Sequence, residues 1–114
     1  GLGGIFVEVL RDVVFRLAPI DELDAAGMVS GLRGARLLTG VRGQPACDTG
    51  ALADALRRLS QLAIDFPVIA EVDVNPLLAF EHGAIAVDAR VVLAPEAEAG
   101  APAAAHQAAV TGQA

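Results

Sequence analysis

The sequence predicts an α+β fold: an antiparallel sheet with two helices packed on one face. Two stretches rich in β-branched residues stand towards the two ends of the chain, each interrupted by a turn signal. Between them lie two segments with helical spacing, and strand and helix never alternate as parallel βαβ units require. The expected order is strand, strand, helix, loop, helix, strand, strand.

The opening "GLGGIFVEVLRDVVFRLAP" reads as a hairpin turning at Arg11 and Asp12. A three-residue connection sets Leu10 opposite Val14 and Glu8 opposite Arg16, and gathers Ile5, Val7, Val9, Phe15 and Leu17 on one apolar face. Asp21 is the expected N-cap of a helix running to about Leu32, with Asp24 in its first turn and Leu23, Met28 and Leu32 as its apolar stripe. The segment "RGARLLTGVRGQPACD" carries three glycines and a proline and reads as a long loop, with one short strand at Arg36 to Thr39. Asp48 opens the second helix, whose stripe is Leu52, Leu56, Leu59 and Ala63, and Pro67 closes it. "VIAEVDVNPLLAF" and "AIAVDARVVLA" form the second strand pair around His82 and Gly83. Residues 1–93 are thus expected to form the folded unit. Residues 94–114, rich in Ala, Gly and Pro, read as a flexible tail.

Composition narrows the function. The chain has 114 residues, 54% of them apolar, which suffices for one domain with a real core. No apolar run is long enough to span a bilayer and no charged leader opens the chain, so a cytoplasmic protein without membrane partners is expected. A net charge of -6 argues against nucleic acid. All 8 cations are Arg, which removes any lysine-based chemistry from this chain. The single cysteine, Cys47, can form no intrachain disulfide.

The chemistry-bearing stretch is "EVDVNPLLAF", residues 71–80. Side chains alternate across a strand, so Glu71, Asp73 and Asn75 share one face while Val72, Val74, Leu78 and Phe80 share the other. Placing the apolar residues of both strands on one side requires an even-numbered turn, with Phe80 facing Ile85 and Leu77 facing Asp88. Asn75 and Asp88 then become diagonal neighbours, with Cβ atoms roughly 7 Å apart. Oxygens from both can reach one small cation, and Mg²⁺ takes only one or two protein ligands beside substrate phosphates. On pattern alone a D-x-N run is more often the wet face of a half-exposed sheet.

Taken in order, "GLGGIFVEVLRDVVFRLAP", "LLTGVRGQPACD", "LSQLAIDFPVIAEVDVNPLLAF" and "GAIAVDAR" resemble the C-terminal part of the ATP-grasp domain of NDP-forming acyl-CoA synthetases, relatives of the succinyl-CoA synthetase β subunit. The resemblance implies that Mg²⁺ and ATP or ADP lie between two α+β subdomains, of which this chain supplies the second. It implies that Asn75 and Asp88 hold the metal, and that Asp73 works beside the phosphohistidine loop during phosphoryl transfer. Gly3 and Gly4 match a Gly-Gly that admits a phosphate or partner loop, and Glu8, Arg16 and Arg42 match polar positions of the same motifs. Of these, Arg16 is assigned to catalysis, and Glu8 and Arg42 to the nucleotide phosphates. The implied reaction joins an acid to CoA with conversion of ATP to ADP and phosphate, through a phosphohistidine. The CoA-binding and phosphohistidine domains would lie elsewhere in the same or a partner chain, within an assembly that includes homo-oligomers among its options. The fragment alone is expected to be inactive. A second reading is a regulatory region fused to a GNAT lysine acetyltransferase, and a third an interaction domain whose nucleotide site has decayed. Neighbouring sequence would discriminate between these.

Overall fold

The computed structural model describes residues 1–3, 9 and 11–95. Among the described residues two α-helices, α1 (Glu22–Ser30) and α2 (Thr49–Asp65), are joined through a short 3-10 helix at Ala35–Leu37. Four strands follow: β1 (Ile69–Val74), β2 (Leu77–Ala79), β3 (Ala84–Ala86) and β4 (Ala89–Leu93). β1 pairs antiparallel with β4 and β2 with β3. The α+β class is as the sequence predicts.

Helix α1 starts where its chemistry says it should. The Asp21 carboxylate accepts the Asp24 N–H at 2.8 Å, and Asp24 returns a bond to the Asp21 N–H, a reciprocal capping box. Its buried face is Ala25, Met28 and Val29, continued by Leu32 beyond the last turn. Leu23, expected in the stripe, is 82% exposed, because the core-facing row runs through Ala25. The helix ends at Ser30 with Gly31 as its cap, two residues short of the expected Leu32.

Helix α2 begins at the Asp48 cap as predicted and buries Leu52, Leu56 and Ser60. These residues meet the α1 face, and Leu2, Ile20 and Leu38 complete the cluster. Leu77, Ala79 and Ala84 pack against the same core, so the β2–β3 pair sits on the helices. Val91 and Leu93 of β4 remain exposed.

Three expectations are corrected. Residues Arg36 to Thr39 form no strand; Ala35–Leu37 coil into the 3-10 helix, and the Cys47 N–H donates to the Leu38 carbonyl at 2.8 Å to close the following loop. The later strand of the opening hairpin is the second. Gly4, Ile5, Val7, Glu8 and Leu10 of the earlier strand lie outside the described residues; among the described ones Val9 is helical, Arg11 to Arg16 are in no strand, and Leu17 makes one isolated bridge. Asp12 explains part of this. It is 4% exposed, and its two carboxylate oxygens each accept a backbone N–H at 2.7 Å, from Arg33 and from Gly34. Those bonds tie the segment to the end of α1.

The third correction concerns register. Ala79 lies opposite Ala84 and Leu78 opposite Ile85, and the Phe80 N–H donates to the Gly83 carbonyl at 3.0 Å. The turn is even-numbered, as the patterning requires, but only Glu81 and His82 stand between that closing pair, so every rung shifts from the predicted Phe80–Ile85 pairing. Leu77 faces Ala86, not Asp88.

Candidate functional site

The same registration runs through both strand pairs. Val74 lies opposite Ala89 and Leu77 opposite Ala86, so Asn75 falls opposite Asp88 and Pro76 opposite Val87. Directly opposed residues have Cα atoms about 4.5–5.5 Å apart and share a face, which brings Asn75 and Asp88 closer than the predicted diagonal.

The ladder changes phase at this point. The Asn75 N–H donates to the Asp88 carbonyl at 3.1 Å, and on the next rung the Val87 N–H donates to the Pro76 carbonyl at 3.0 Å. In a regular antiparallel ladder, bonded and non-bonded rungs alternate. Two successive bonded rungs mark a break; at the second, Pro76 accepts through its carbonyl but has no N–H with which to return the bond. Burial changes phase with it. Val72 and Val74 are half-buried in β1, whereas Leu77 and Ala79 take that role in β2 and Leu78 and Phe80 are exposed.

The polar face around the pair is acidic. Asp73 lies opposite Arg90, but the Arg90 guanidinium goes diagonally to Glu71, with which it forms an ion pair. This accounts for Glu71, to which the sequence assigned no role. Among the described residues, the side chains of Asp73, Asn75 and Asp88 make no hydrogen bond or ion pair, and all three are exposed. No group of three or more His, Cys, Asp and Glu side chains among the described residues could hold a metal by itself. The donor set is nevertheless suited to Mg²⁺. It comprises hard oxygens from two residues, with the remaining positions left to water and ligand oxygens.

The other predicted site residues are dispersed. Arg16 has its Nε 3.7 Å from Asp24 at the start of α1 and donates to its own neighbour's carbonyl, Phe15 O, at 2.8 Å. Arg42 occupies the tip of the loop after the 3-10 helix. Its φ of 52° and that of Gly43, 81°, together with the Gln44 N–H donating to Val41 O at 3.1 Å, describe a type I′-like turn. Gly3 is half-buried, and Gly4 and Glu8 lie outside the described residues.

One residue matters more than its sequence position suggests. The Asp48 carboxylate caps α2 through the Ala51 N–H at 2.9 Å and accepts the Gly83 N–H at 2.9 Å with its other oxygen. Its own N–H donates to Phe80 O at 2.7 Å. Asp48 therefore staples the β2–β3 turn to the start of α2. The bond from Gly83, then that from Ala51, hold its carboxyl below the usual aspartate range. Asp12 is held low in the same way, first by Gly34 and, against the cost of desolvation, by Arg33. The N-cap role was readable from the sequence; the bond to Gly83, 35 residues away, had no local signal.

The chain belongs to the ATP-grasp domain family, whose model matches residues 1–93. Among individual proteins it is similar to the acetate–CoA ligase [ADP-forming] I β subunit of Pyrococcus furiosus, with 48% identity over 93 residues, 82% of this chain and 40% of that subunit. It is 47% identical over 83 residues to the 4-hydroxybutyrate–CoA ligase [ADP-forming] of Nitrosopumilus maritimus, covering 73% of this chain and 12% of that protein. Among solved structures it is similar to the Ca. Korarchaeum cryptofilum dinucleotide-forming acetyl-coenzyme A synthetase 1 in complex with coenzyme A, Ca-AMPCP and HgCl⁺. The TM-score is 0.79 and the identity 46%, over 82% of this chain and 41% of that one. A second structure of that protein holds coenzyme A and Mg-AMPPCP with its phosphohistidine segment pointing towards the nucleotide-binding site; there the TM-score is again 0.79 and the identity 46%, over 82% of this chain and 44% of that one. The chain thus spans about two-fifths of the P. furiosus subunit.

Proposed function

We propose that this chain is the metal- and phosphate-binding half of an ATP-grasp site in an ADP-forming acyl-CoA synthetase, with residues 1–93 as the working unit. The synthetase would join an acid to CoA while ATP becomes ADP and phosphate, through a phosphohistidine on another domain. The observation that carries this reading is the Asn75–Asp88 rung, two unpaired oxygen donors directly opposed on an acidic face. The names and ligands of the similar proteins support it.

A bound Mg²⁺ would neutralise charge on the nucleotide phosphates. Asn75 would offer its amide oxygen and Asp88 its carboxylate to the cation. Asp73, next on the same face, would work beside the phosphohistidine loop during phosphoryl transfer. Glu71 keeps the Arg90 guanidinium engaged, so Arg90 does not neutralise Asp88. Asp48 acts at a distance, fixing the turn from which β2 and β3 run back to the rung.

The test is Mg-ADP binding by calorimetry to the complete synthetase and to its Asn75→Ala, Asp88→Ala variant. The double variant should lose the magnesium-dependent part of the affinity; equal magnesium-dependent affinities would sink the assignment. On the half-site reading the opposite wall of the cleft is formed by other residues, so these 114 residues alone should bind no ATP measurably, and micromolar affinity would contradict that reading.

A further inference from the structure

A hollow lies away from the Asn75–Asp88 rung, on the seam between α1 and the first half of α2, with the 3-10 helix closing one end. Its volume is about 630 Å³, within the range of small-molecule sites. Its floor is apolar, with Val29 and Leu38 buried beneath it and Ala53 half-buried along it.

Charge around this hollow is not balanced. Asp54 is already paired, its carboxylate 2.6 Å from Arg58 Nε. Arg36 and Arg57 both line the hollow, and neither makes an ion pair among the described residues. Glu22 is the remaining charge on the lining. Two guanidinium groups against one free carboxylate leave room for one negative charge. A singly charged head fits that surplus, whereas a dianionic phosphate would exceed it.

We propose that this hollow binds an organic monocarboxylate with an aliphatic or aromatic body, the carboxylate between Arg36 and Arg57 and the body on the floor of Val29, Leu38 and Ala53. Guanidinium groups grip carboxylates through paired N–H donors, and an apolar floor holds the part of the ligand that water rejects. This site is separate from the nucleotide reading and does not depend on it.

The test is titration of the ¹⁵N-labelled chain with octanoate, followed by amide shifts, with octan-1-ol and acetate as probes lacking the charge or the body. Octanoate should give saturable shifts confined to lining residues such as Ala35, Gly50 and Ala53, and both control probes should bind more weakly. Arg36→Gln with Arg57→Gln should raise the dissociation constant about fivefold or more. Ala53→Leu should abolish binding by filling the floor, with unchanged spectral dispersion proving the variant folded. Shifts scattered over the exposed strands, equal binding of octan-1-ol, or an unchanged constant in the Arg36→Gln/Arg57→Gln variant would overturn the proposal.

Discussion

Ser60 is the polar residue on which the packing of this domain turns. It is 1% exposed, on the buried face of α2, and its Oγ accepts the backbone N–H of Ile20 at 3.0 Å, joining segments 40 residues apart. Ile20 is itself buried, so no water replaces that acceptor in Ser60→Ala. Leaving a buried donor unsatisfied costs about 1–3 kcal/mol. Alanine returns about 0.5 kcal/mol through its better helix propensity. The net loss is about 0.5–2.5 kcal/mol, which at a urea m-value near 1 kcal/mol/M lowers the midpoint by about 0.5–2.5 M. Urea unfolding followed by far-UV circular dichroism reads this directly. Ser30→Ala is the control, because Ser30 is exposed on α1, and its midpoint should stay within about 0.5 M. A Ser60→Ala midpoint within that same margin would refute the claim that the Ile20 N–H depends on Ser60.

Asp12 and Asp48 have folded-state pKa values below the ordinary 3.8, so the unfolded chain binds more protons as acid is added. Their stabilisation is complete above that ordinary value and is lost as pH falls through the lower folded values. Urea midpoints measured from pH 5 to pH 3 should fall with acid, and Asp48→Asn should flatten the slope; an unchanged slope would show that the staple carries no proton linkage. The two helix faces give a paired prediction. Leu52→Ala, at a site 2% exposed, should cost about 2–5 kcal/mol, and Leu23→Ala less than about 0.5 kcal/mol, both by thermal unfolding. At the loop tip, Arg42→Asn should raise stability by up to about 1 kcal/mol, since asparagine tolerates the left-handed backbone that arginine adopts there. A lower melting temperature for this variant would show that the Arg42 side chain stabilises the fold.

Local chemistry was legible and long-range chemistry was not. Both helix starts could be read because Asp21 and Asp48 act within three residues of themselves. The Leu52, Leu56 stripe could be read because a 3.6-residue period survives in any setting. Leu23 misled because α1 is short and apolar on more than one side, so periodicity did not single out the row through Ala25 and Met28. Asp12 misled because its partners, Arg33 and Gly34, are 21 and 22 residues away. The Asn75–Asp88 pairing was legible as a parity argument, and its exact rung was not. Parity follows from which side chains are apolar; the rung depends on a turn held in place by Asp48 from outside the hairpin.

The phase change at Asn75–Pro76 resolves a conflict written into the strand. In an unbroken strand, Asp73, Asn75, Leu77 and Ala79 would all share one face. Docking Leu77 and Ala79 on α2 would then carry Asp73 and Asn75 towards the apolar core, and exposing the polar pair would leave Leu77 and Ala79 in water. Burying either polar side chain unpaired is costly, more so for a carboxylate. Changing phase between Asn75 and Leu77 satisfies both demands, with Leu77 and Ala79 against the core and Asp73 and Asn75 exposed. Asn75 and Asp88 are the rung immediately before the break, so the packing of β2–β3 on the helix fixes where that rung stands while leaving its oxygens in solvent. For the metal role proposed above, that combination would hold the two oxygens rigidly while leaving them open to a cation.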